Sequence, residues 1–486
     1  MTATQATTVR DQLYIGGEWI PPATDRVFSP VSPSTEAALG RAPEGTERDV
    51  DNAVAAARAA FDDPQGWSSW DVDTRAQAME RFADALDRRG PEIARLVSGQ
   101  NGMPITMAEA VEGAFPAVAL RYYADLIREQ GIEERREGVF GRATRVRHEP
   151  VGVVAAIVPW NFPQALAFVK IAPALAAGCT LVIKPSPETV LDAFVMAEAA
   201  HEAGLPPGVL NIVPAGREVG AYLVAHPGVD KVGFTGSTEA GRSIAETCGR
   251  LLRPVTLELG GKSAAIVLDD ADLAQHASEF VDATLQNNGQ TCYLCTRILA
   301  PRTRYTEVVD TITDIVRSLR IGDALDPRTQ IGPLVSERQR ARVEGYVTKG
   351  RAAGGRVTTG GNRPAGLDYG FFYEPTVFAD VSNNDTIARE EIFGPVLAVI
   401  PYDTEQEAVA IANDSEFGLG GSVWSSDTER AIGLARHIQS GGIGINSYSH
   451  DIGSPFGGIK ASGLGREQGP EGLAAYQHSK TIYNVP

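Results

Sequence analysis

The chain has 486 residues, 43% hydrophobic, 22% charged and 7% aromatic, which is the composition of a globular protein of two or three domains and excludes wholesale disorder. Its 61 acidic residues against 44 basic ones leave a formal charge of -17. So acidic a surface repels phosphate backbones and anionic lipid, which argues against nucleic-acid and membrane partners. The four cysteines, Cys179, Cys248, Cys292 and Cys295, are too few for a disulfide scaffold and point to a reducing, cytoplasmic setting.

Met1–Arg10 is polar and shows no signal-peptide pattern. Residues 14–20 read as a short strand interrupted by Gly16 and Gly17. Helical periodicity predicts helices over 49–61, 74–96 and 107–128. The charged stretch 131–147 alternates like an exposed strand or hairpin, an arm suited to a partner subunit. Residues 165–183 are the most membrane-like, but Lys170 and Pro173 favour a helix running into a buried strand.

From Val151 strands and helices alternate: strands over 151–158, 180–184, 209–213 and 231–234, helices over 164–177, 191–204, 219–225 and 241–249. That rhythm predicts parallel βαβ units, whose ligands bind at the carboxyl ends of the strands. The pattern restarts at Ala264, runs through a helix ending near Gln286 and continues to a strand over 396–400, which predicts a second α/β domain. The tail, 481–485, is strand-like and suited to pairing with the arm.

Four segments carry chemistry. Asn287-Asn288-Gly289-Gln290-Thr291-Cys292 puts a cysteine on a Gly-containing turn after a helix, where a thiolate is a competent nucleophile. An isolated cysteine is more often a small buried hydrophobe. Cys292 and Cys295 also form a C-x-x-C, a candidate redox pair that would shield Cys292 from over-oxidation. No second pair exists to complete a zinc site. Glu258, within Leu257-Glu258-Leu259-Gly260-Gly261-Lys262, is a candidate general base if burial raises its pKa, or else a salt-bridged structural residue. Pro159-Trp160-Asn161-Phe162-Pro163 follows an apolar strand, so Asn161 is either a turn residue or a donor to a developing oxyanion. Phe234-Thr235-Gly236-Ser237-Thr238-Glu239-Ala240-Gly241-Arg242-Ser243 joins a strand to a helix start through a Gly-rich turn, an anion site. It suits either a dinucleotide pyrophosphate or a degenerate P-loop with Arg242 for the lysine, and Asp269 and Asp270 imitate the accompanying acidic strand end. The absence of G-x-S-x-G disfavours a hydrolase triad.

Taken together these segments resemble the aldehyde dehydrogenase superfamily. The likeness covers nearly the whole chain. It begins at Leu13-Tyr14-Ile15-Gly16-Gly17-Glu18-Trp19 and continues in order through PWNFP at Pro159, KPSPET at Lys184, FTGSTEAG at Phe234, LELGGK at Leu257, GQTC at Gly289, EEIFGPV at Glu390 and PFGGIKASGLGRE at Pro455. It implies an α/β fold with a Rossmann-type cofactor domain (1–125 and 148–257), an α/β catalytic domain (258–440) and a small β oligomerisation arm and tail (126–147 and 470–486) that pair across a dimer, with a homodimer or homotetramer as the assembly. It implies oxidation of an aldehyde to the acid. Cys292 is then the nucleophile, Asn161 and the Cys292 N–H hold the oxyanion, Glu258 activates the hydrolytic water, and Lys170 is a family lysine near the active site.

For the cofactor the resemblance implies Trp160, Lys184, Ser186, Glu188, Gly216, Gly220, Phe234, Thr235, Gly236, Ser237, Leu259, Glu391 and Phe393. NAD is expected. Many NAD-preferring members carry a glutamate where this chain has Pro187, with Glu188 next, so NADP is the alternative. Phe162, Leu166, Tyr293 and Phe456 suggest an apolar tunnel for aliphatic, aromatic or terpenoid aldehydes, with Tyr448 and His450 at its mouth. No metal is expected. Two rival readings make different predictions. A P-loop NTPase would turn over ATP without needing Cys292, and a non-catalytic binding protein would tolerate loss of Cys292, Glu258 or Asn161.

Overall fold

The computed structural model describes residues 8–139 and 141–485, so the first seven residues of the polar Met1–Arg10 stretch lie outside it. Among the described residues the apolar runs after Gly152 build the first sheet. Its parallel strands lie side by side in the order Val255–Glu258, Lys231–Thr235, Val153–Ile157, Thr180–Lys184, Leu210–Ile212. Nearly every residue of these strands is buried, because helices cover both faces of a parallel sheet. Val153–Ile157 comes first in the chain and lies in the middle. The next two strands extend to one side, and the two after those to the other. The strand order therefore reverses between Val153–Ile157 and Lys231–Thr235, where a crevice opens outside the carboxyl ends. The edges are antiparallel. Leu13–Ile15 and Glu18–Ile20, a hairpin turning at Gly16-Gly17, close one side, and Gly463–Leu464 from near the C-terminus closes the other.

A second sheet runs Arg356–Thr359, Thr376–Ala379, Val396–Tyr402, Arg297–Pro301, Ala264–Val267, Ser422–Trp424, Gly444–Ile445, parallel except for its first pair. Its last strand lies past the boundary expected at 440. The segment Gln286–Gly289 joins the helix Ala277–Leu285 to the Cys292 turn, so the second sheet delivers that turn towards the first sheet's crevice.

The expected helix over 107–128 is broken into Ile105–Ala108, a π turn at Glu109–Gly113, and Phe115–Gln130. Gly113 lies so close to Gly90 that an added Cβ would come within 2.7 Å of its carbonyl oxygen. Pro116 has no N–H to continue the earlier helix and suits the start of a new one. That new helix continues to Gln130, so the arm starts after 130 rather than at 126. The arm strands Glu133–Arg136 and Ala143–Pro150 join the tail strand Gln477–Val485 in an antiparallel sheet. Lys480 stands opposite Arg147 and Ile482 opposite Arg145. Within the chain the tail thus pairs with its own arm.

The membrane-like stretch is the buried helix Pro163–Ala177 followed by the strand Thr180–Lys184. No helix among the described residues is long and apolar enough to cross a membrane. All four cysteines are free. Cys295 belongs to the core of the second sheet with Phe280, Ile298 and Trp424, whereas Cys292 is half-buried and faces a cavity. Cys295, the expected redox partner of Cys292, is thus packed among apolar side chains.

Candidate active site

Asn161 stands just beyond the carboxyl end of Val153–Ile157. Its backbone carbonyl accepts from Asn101 Nδ2 at 3.1 Å and from Asn287 Nδ2 at 2.9 Å. Its own Nδ2 donates to the Gln290 carbonyl at 3.0 Å. An amide nitrogen carries two hydrogens, so one remains for the cavity that Asn161 and Cys292 both line. The turn before Cys292 is held equally firmly. Asn287 and Asn288 have left-handed φ of 51° and 60°, a region asparagine tolerates better than most residues. Asn288 Nδ2 donates to the carbonyls of Gly102 and Pro333 at 2.8 and 2.9 Å, and its Oδ1 accepts the Gly332 N–H at 2.6 Å.

The cavity holds about 420 Å³ and lies at the reversal point of the first sheet. Pro159, Trp160 and Asn161 form one wall; Thr235, Gly236 and Ser237 form the next, at the start of the helix Thr238–Leu251. Leu259, Gly260, Cys292, Glu391 and Phe393 complete it from the other side. Gly260 and Gly261 are required by close approach. A Cβ on Gly260 would lie 2.6 Å from Glu391 Oε2, and one on Gly261 would lie 2.2 Å from the Cys292 carbonyl oxygen. Glu391 accepts the Gly261 N–H at 3.0 Å, and burial pushes its carboxyl up to about 7. Trp160 and Phe393 meet edge to face with centroids 5.4 Å apart. Phe234 does not line the cavity; its ring lies under Gly236.

Lys184, Ser186, Glu188, Gly216 and Gly220 form a second group beside the cavity. Lys184 Nζ donates to the carbonyls of Pro185 and Ala215, both at 3.0 Å, and burial pushes it down to about 8. Its stem passes over Gly220, and Gly216 precedes the helix Arg217–Ala225. Ser186 Oγ donates to Glu188 at 2.6 Å, and the other Glu188 oxygen pairs with Arg338 at 3.2 Å. Arg338 lines the cavity, so this ion pair ties the two groups together.

Glu258 ends the strand Val255–Glu258 and is 1% exposed, with both carboxylate oxygens unpartnered. Burial first, and then the nearby Glu467, push its pKa well above the usual carboxylate range. Burial pushes the Cys292 thiol up as well, with the charges of Glu391 and Glu258 adding to it. Lys170 lies behind the cavity wall, bonded to the lining residue Thr235 and close enough to act on Glu258. It is fully buried, donates to Thr235 Oγ1 at 2.6 Å and pairs with Glu467 at 2.7 Å.

Phe162 and Leu166 pack with Met103, Ile105 and Ala165. Tyr293 stacks on Tyr448 at 4.8 Å and meets His450 at 4.5 Å; Phe456 lies 4.7 Å beyond His450. These four rings form one aromatic wall that starts at the residue after Cys292.

Sequence reasoning missed Glu467, Arg338, Gln339 and Arg342. Gln339 Nε2 donates to the Phe393 carbonyl at 2.6 Å and Arg342 Nε to the Ile392 carbonyl at 3.2 Å, so these residues shape the cavity through the Glu391–Phe393 backbone. The P-loop reading fails on geometry. Arg242 is exposed towards Glu416, and Asp270 is bound by Ser425 and Ser426 at the end of the second sheet.

A half-buried cysteine and an amide donor thus line one crevice at the reversal point of the sheet, with a buried carboxyl at the end of a neighbouring strand, the equipment of a dinucleotide-dependent oxidoreductase. Residues 19–482 match the aldehyde dehydrogenase family model, and the chain belongs to that family. Geranial dehydrogenase of Castellaniella defragrans is 55% identical over 471 residues, 97% of this chain and 98% of that one. A Mycobacterium tuberculosis aldehyde dehydrogenase complexed with NAD+ superposes with a TM-score of 0.96 at 49% identity, covering 99% of both chains. Aldehyde dehydrogenase C of Pseudomonas syringae, a mutant complexed with NAD+ and octanal, gives 0.94 at 39% identity over 99% of both.

Proposed function

We propose that the chain oxidises an apolar aldehyde to its carboxylic acid, with NAD as the hydride acceptor. The observation that carries this reading is the meeting of Cys292 and Asn161 in one cavity at the reversal point of the sheet. The aromatic wall of Tyr293, Tyr448, His450 and Phe456 supports an apolar chain behind the aldehyde. The relatives support the same class, since one acts on geranial and another was crystallised with octanal.

The cavity suits a dinucleotide. Its helix start at Ser237 offers N–H groups to a pyrophosphate, and Glu391 and Lys184 offer an acceptor and a donor to the ribose hydroxyls. When bound, the dinucleotide takes up the hydride that turns the thiohemiacetal into a thioester. Everything else falls to the protein. The proton on Cys292 Sγ passes to Glu258, the sulfur attacks the carbonyl carbon, and the C=O electron pair moves onto oxygen. That oxyanion meets the free amide hydrogen of Asn161 and the Cys292 N–H. Glu258 passes its proton to solvent water, then takes one from the water that adds to the thioester, and collapse expels the Cys292 thiolate and releases the acid. Lys170 and Glu467, behind Glu258, act as positioning residues.

NADP is the second reading for the acceptor. Pro187 brings no carboxylate to the ribose, and Glu188 is engaged by Ser186 and Arg338. We also place the chain in a homo-oligomer through the arm-and-tail sheet, and in the cytoplasm on the evidence of its free cysteines.

The test is NADH and NADPH formation, recorded separately, with geranial, octanal, benzaldehyde and a carboxylated aldehyde. Cys292→Ala should abolish turnover. Glu258→Gln should slow both thiol addition and thioester hydrolysis and lower the steady rate by roughly 10²–10⁴-fold, the usual contribution of a general base. Turnover that survives Cys292→Ala would remove the thiol mechanism.

A further inference from the structure

Behind the turn that presents Asn161 runs a buried polar chain that this mechanism does not use. Glu112, in the π turn Glu109–Gly113, is fully buried. Its Oε2 accepts the Gln164 N–H at 2.7 Å. Gln164 stands in the first turn of the helix Pro163–Ala177, and Phe162, the residue in the capping position, supplies no side-chain hydrogen bond. The free N–H groups of a helix start need an acceptor, and the Glu112 carboxyl, pushed up to about 8 by burial, supplies an oxygen for one of them. Here the acceptor comes from a distant segment.

The chain continues from there. Gln164 Nε2 donates to one oxygen of Asp192 at 2.6 Å, and Gln100 Nε2 donates to the other at 2.9 Å. Gln100 Oε1 in turn accepts the Leu191 N–H at 2.9 Å. Two buried carboxyl groups are costly to keep in a protein interior. A threonine or serine in the capping position would satisfy the same helix start more cheaply. What the longer route adds is a fixed frame for the helix start, and Asn161 lies only three residues before Gln164. On the opposite side Asn101 and Asn287 grip the Asn161 carbonyl.

We propose that Glu112 is a positioning residue for the oxidation: by holding the helix start through the Gln164 N–H, it fixes the Asn161 amide where the oxyanion forms. This rests on the reading of Asn161 as the oxyanion donor. A donor must sit within tenths of an ångström of the oxyanion position to stabilise it, so a small slip at the helix start lowers the rate of thiol addition and hydride loss.

The experiment is a double-mutant cycle read as the stopped-flow rate of the first turnover. Asn161→Ala alone should cost about 10²–10³-fold, as removal of an oxyanion donor does. Glu112→Leu should cost about tenfold or more in the wild-type background and less than about threefold in Asn161→Ala, since positioning has no object once the amide is gone. Glu112→Gln keeps an acceptor oxygen and should stay within about threefold of wild type. If Glu112→Leu fails to fold, Glu112→Asp withdraws the acceptor by one carbon and should show the same background dependence at smaller size. Dinucleotide affinity, followed by quenching of tryptophan fluorescence, should change less than about twofold in all of them. An equal loss from Glu112→Leu or Glu112→Asp in both backgrounds would overturn the proposal, as would a Glu112→Gln variant as slow as Glu112→Leu. An Asn161→Ala variant at wild-type rate would instead remove the reading of Asn161 and the proposal with it.

Discussion

Burial sets the charges that a dinucleotide would meet first. Glu391, pushed up to about 7, is an ionised acceptor only above that pH, and Lys184, pushed down to about 8, is an ionised donor only below that pH. Dinucleotide affinity should therefore peak between pH 7 and 8. On the acid side it falls as Glu391 takes up a proton, and on the alkaline side as Lys184 loses one, by up to about tenfold per unit for one linked proton. Fluorescence titration from pH 6 to 9 checks this, and a flat profile would contradict the assignment of both groups. The residues most legible in the sequence, Cys292, Glu258 and Asn161, each sit in a contiguous run with its own turn chemistry. Arg338 and Glu112 were not legible, because each takes its partner from far along the chain, Glu188 for Arg338 and Gln164 for Glu112. Glu467 ends the run that starts at Pro455, but its part depends on the equally distant Lys170.

At the scale of elements, the strands of the first sheet were readable because they are buried on both faces, which leaves unbroken apolar runs between polar turns. The helix over 107–128 is broken where Gly113 meets Gly90, a tertiary contact, and Pro116 is the local signal that a new helix starts there. The turn into Cys292 is the element on which the site depends most. Gly289 has φ of 77°, and an added Cβ would lie 2.2 Å from the Gly394 carbonyl carbon. Gly289→Ala should therefore lower stability by roughly 2–4 kcal/mol, as strained or overpacked core substitutions do. Thermal unfolding measures this, and an unchanged melting temperature would show that the turn can relax.

At the scale of the whole molecule, two parallel sheets face one crevice, each bringing what the other lacks. The first supplies the helix start and Asn161; the second supplies Cys292 through its connecting turn. The arm-and-tail sheet stands apart, with Gln477–Val485 as one outer strand and Ile482 and Tyr483 exposed on it, the latter at 72%. If this sheet joins subunits, Ile482→Lys with Tyr483→Lys should reduce the mass measured by light scattering and leave dinucleotide affinity per site unchanged. An unchanged mass would move the interface elsewhere.

The tail strand begins immediately after Tyr476. That residue is buried, its ring lies 4.9 Å from Lys231 Nζ, and its carbonyl accepts the Val151 N–H at 3.0 Å just before the first strand of the cofactor sheet. Glu467, the partner of Lys170 behind Glu258, is only nine residues upstream. A subunit that gripped the tail would thus pull on a tether rooted beneath Glu258, the base proposed for hydrolysis. Dilution and catalysis would then be mechanically joined: separating the subunits would slacken the tether, and both steps that use Glu258, capture of the aldehyde and release of the acid, would feel it.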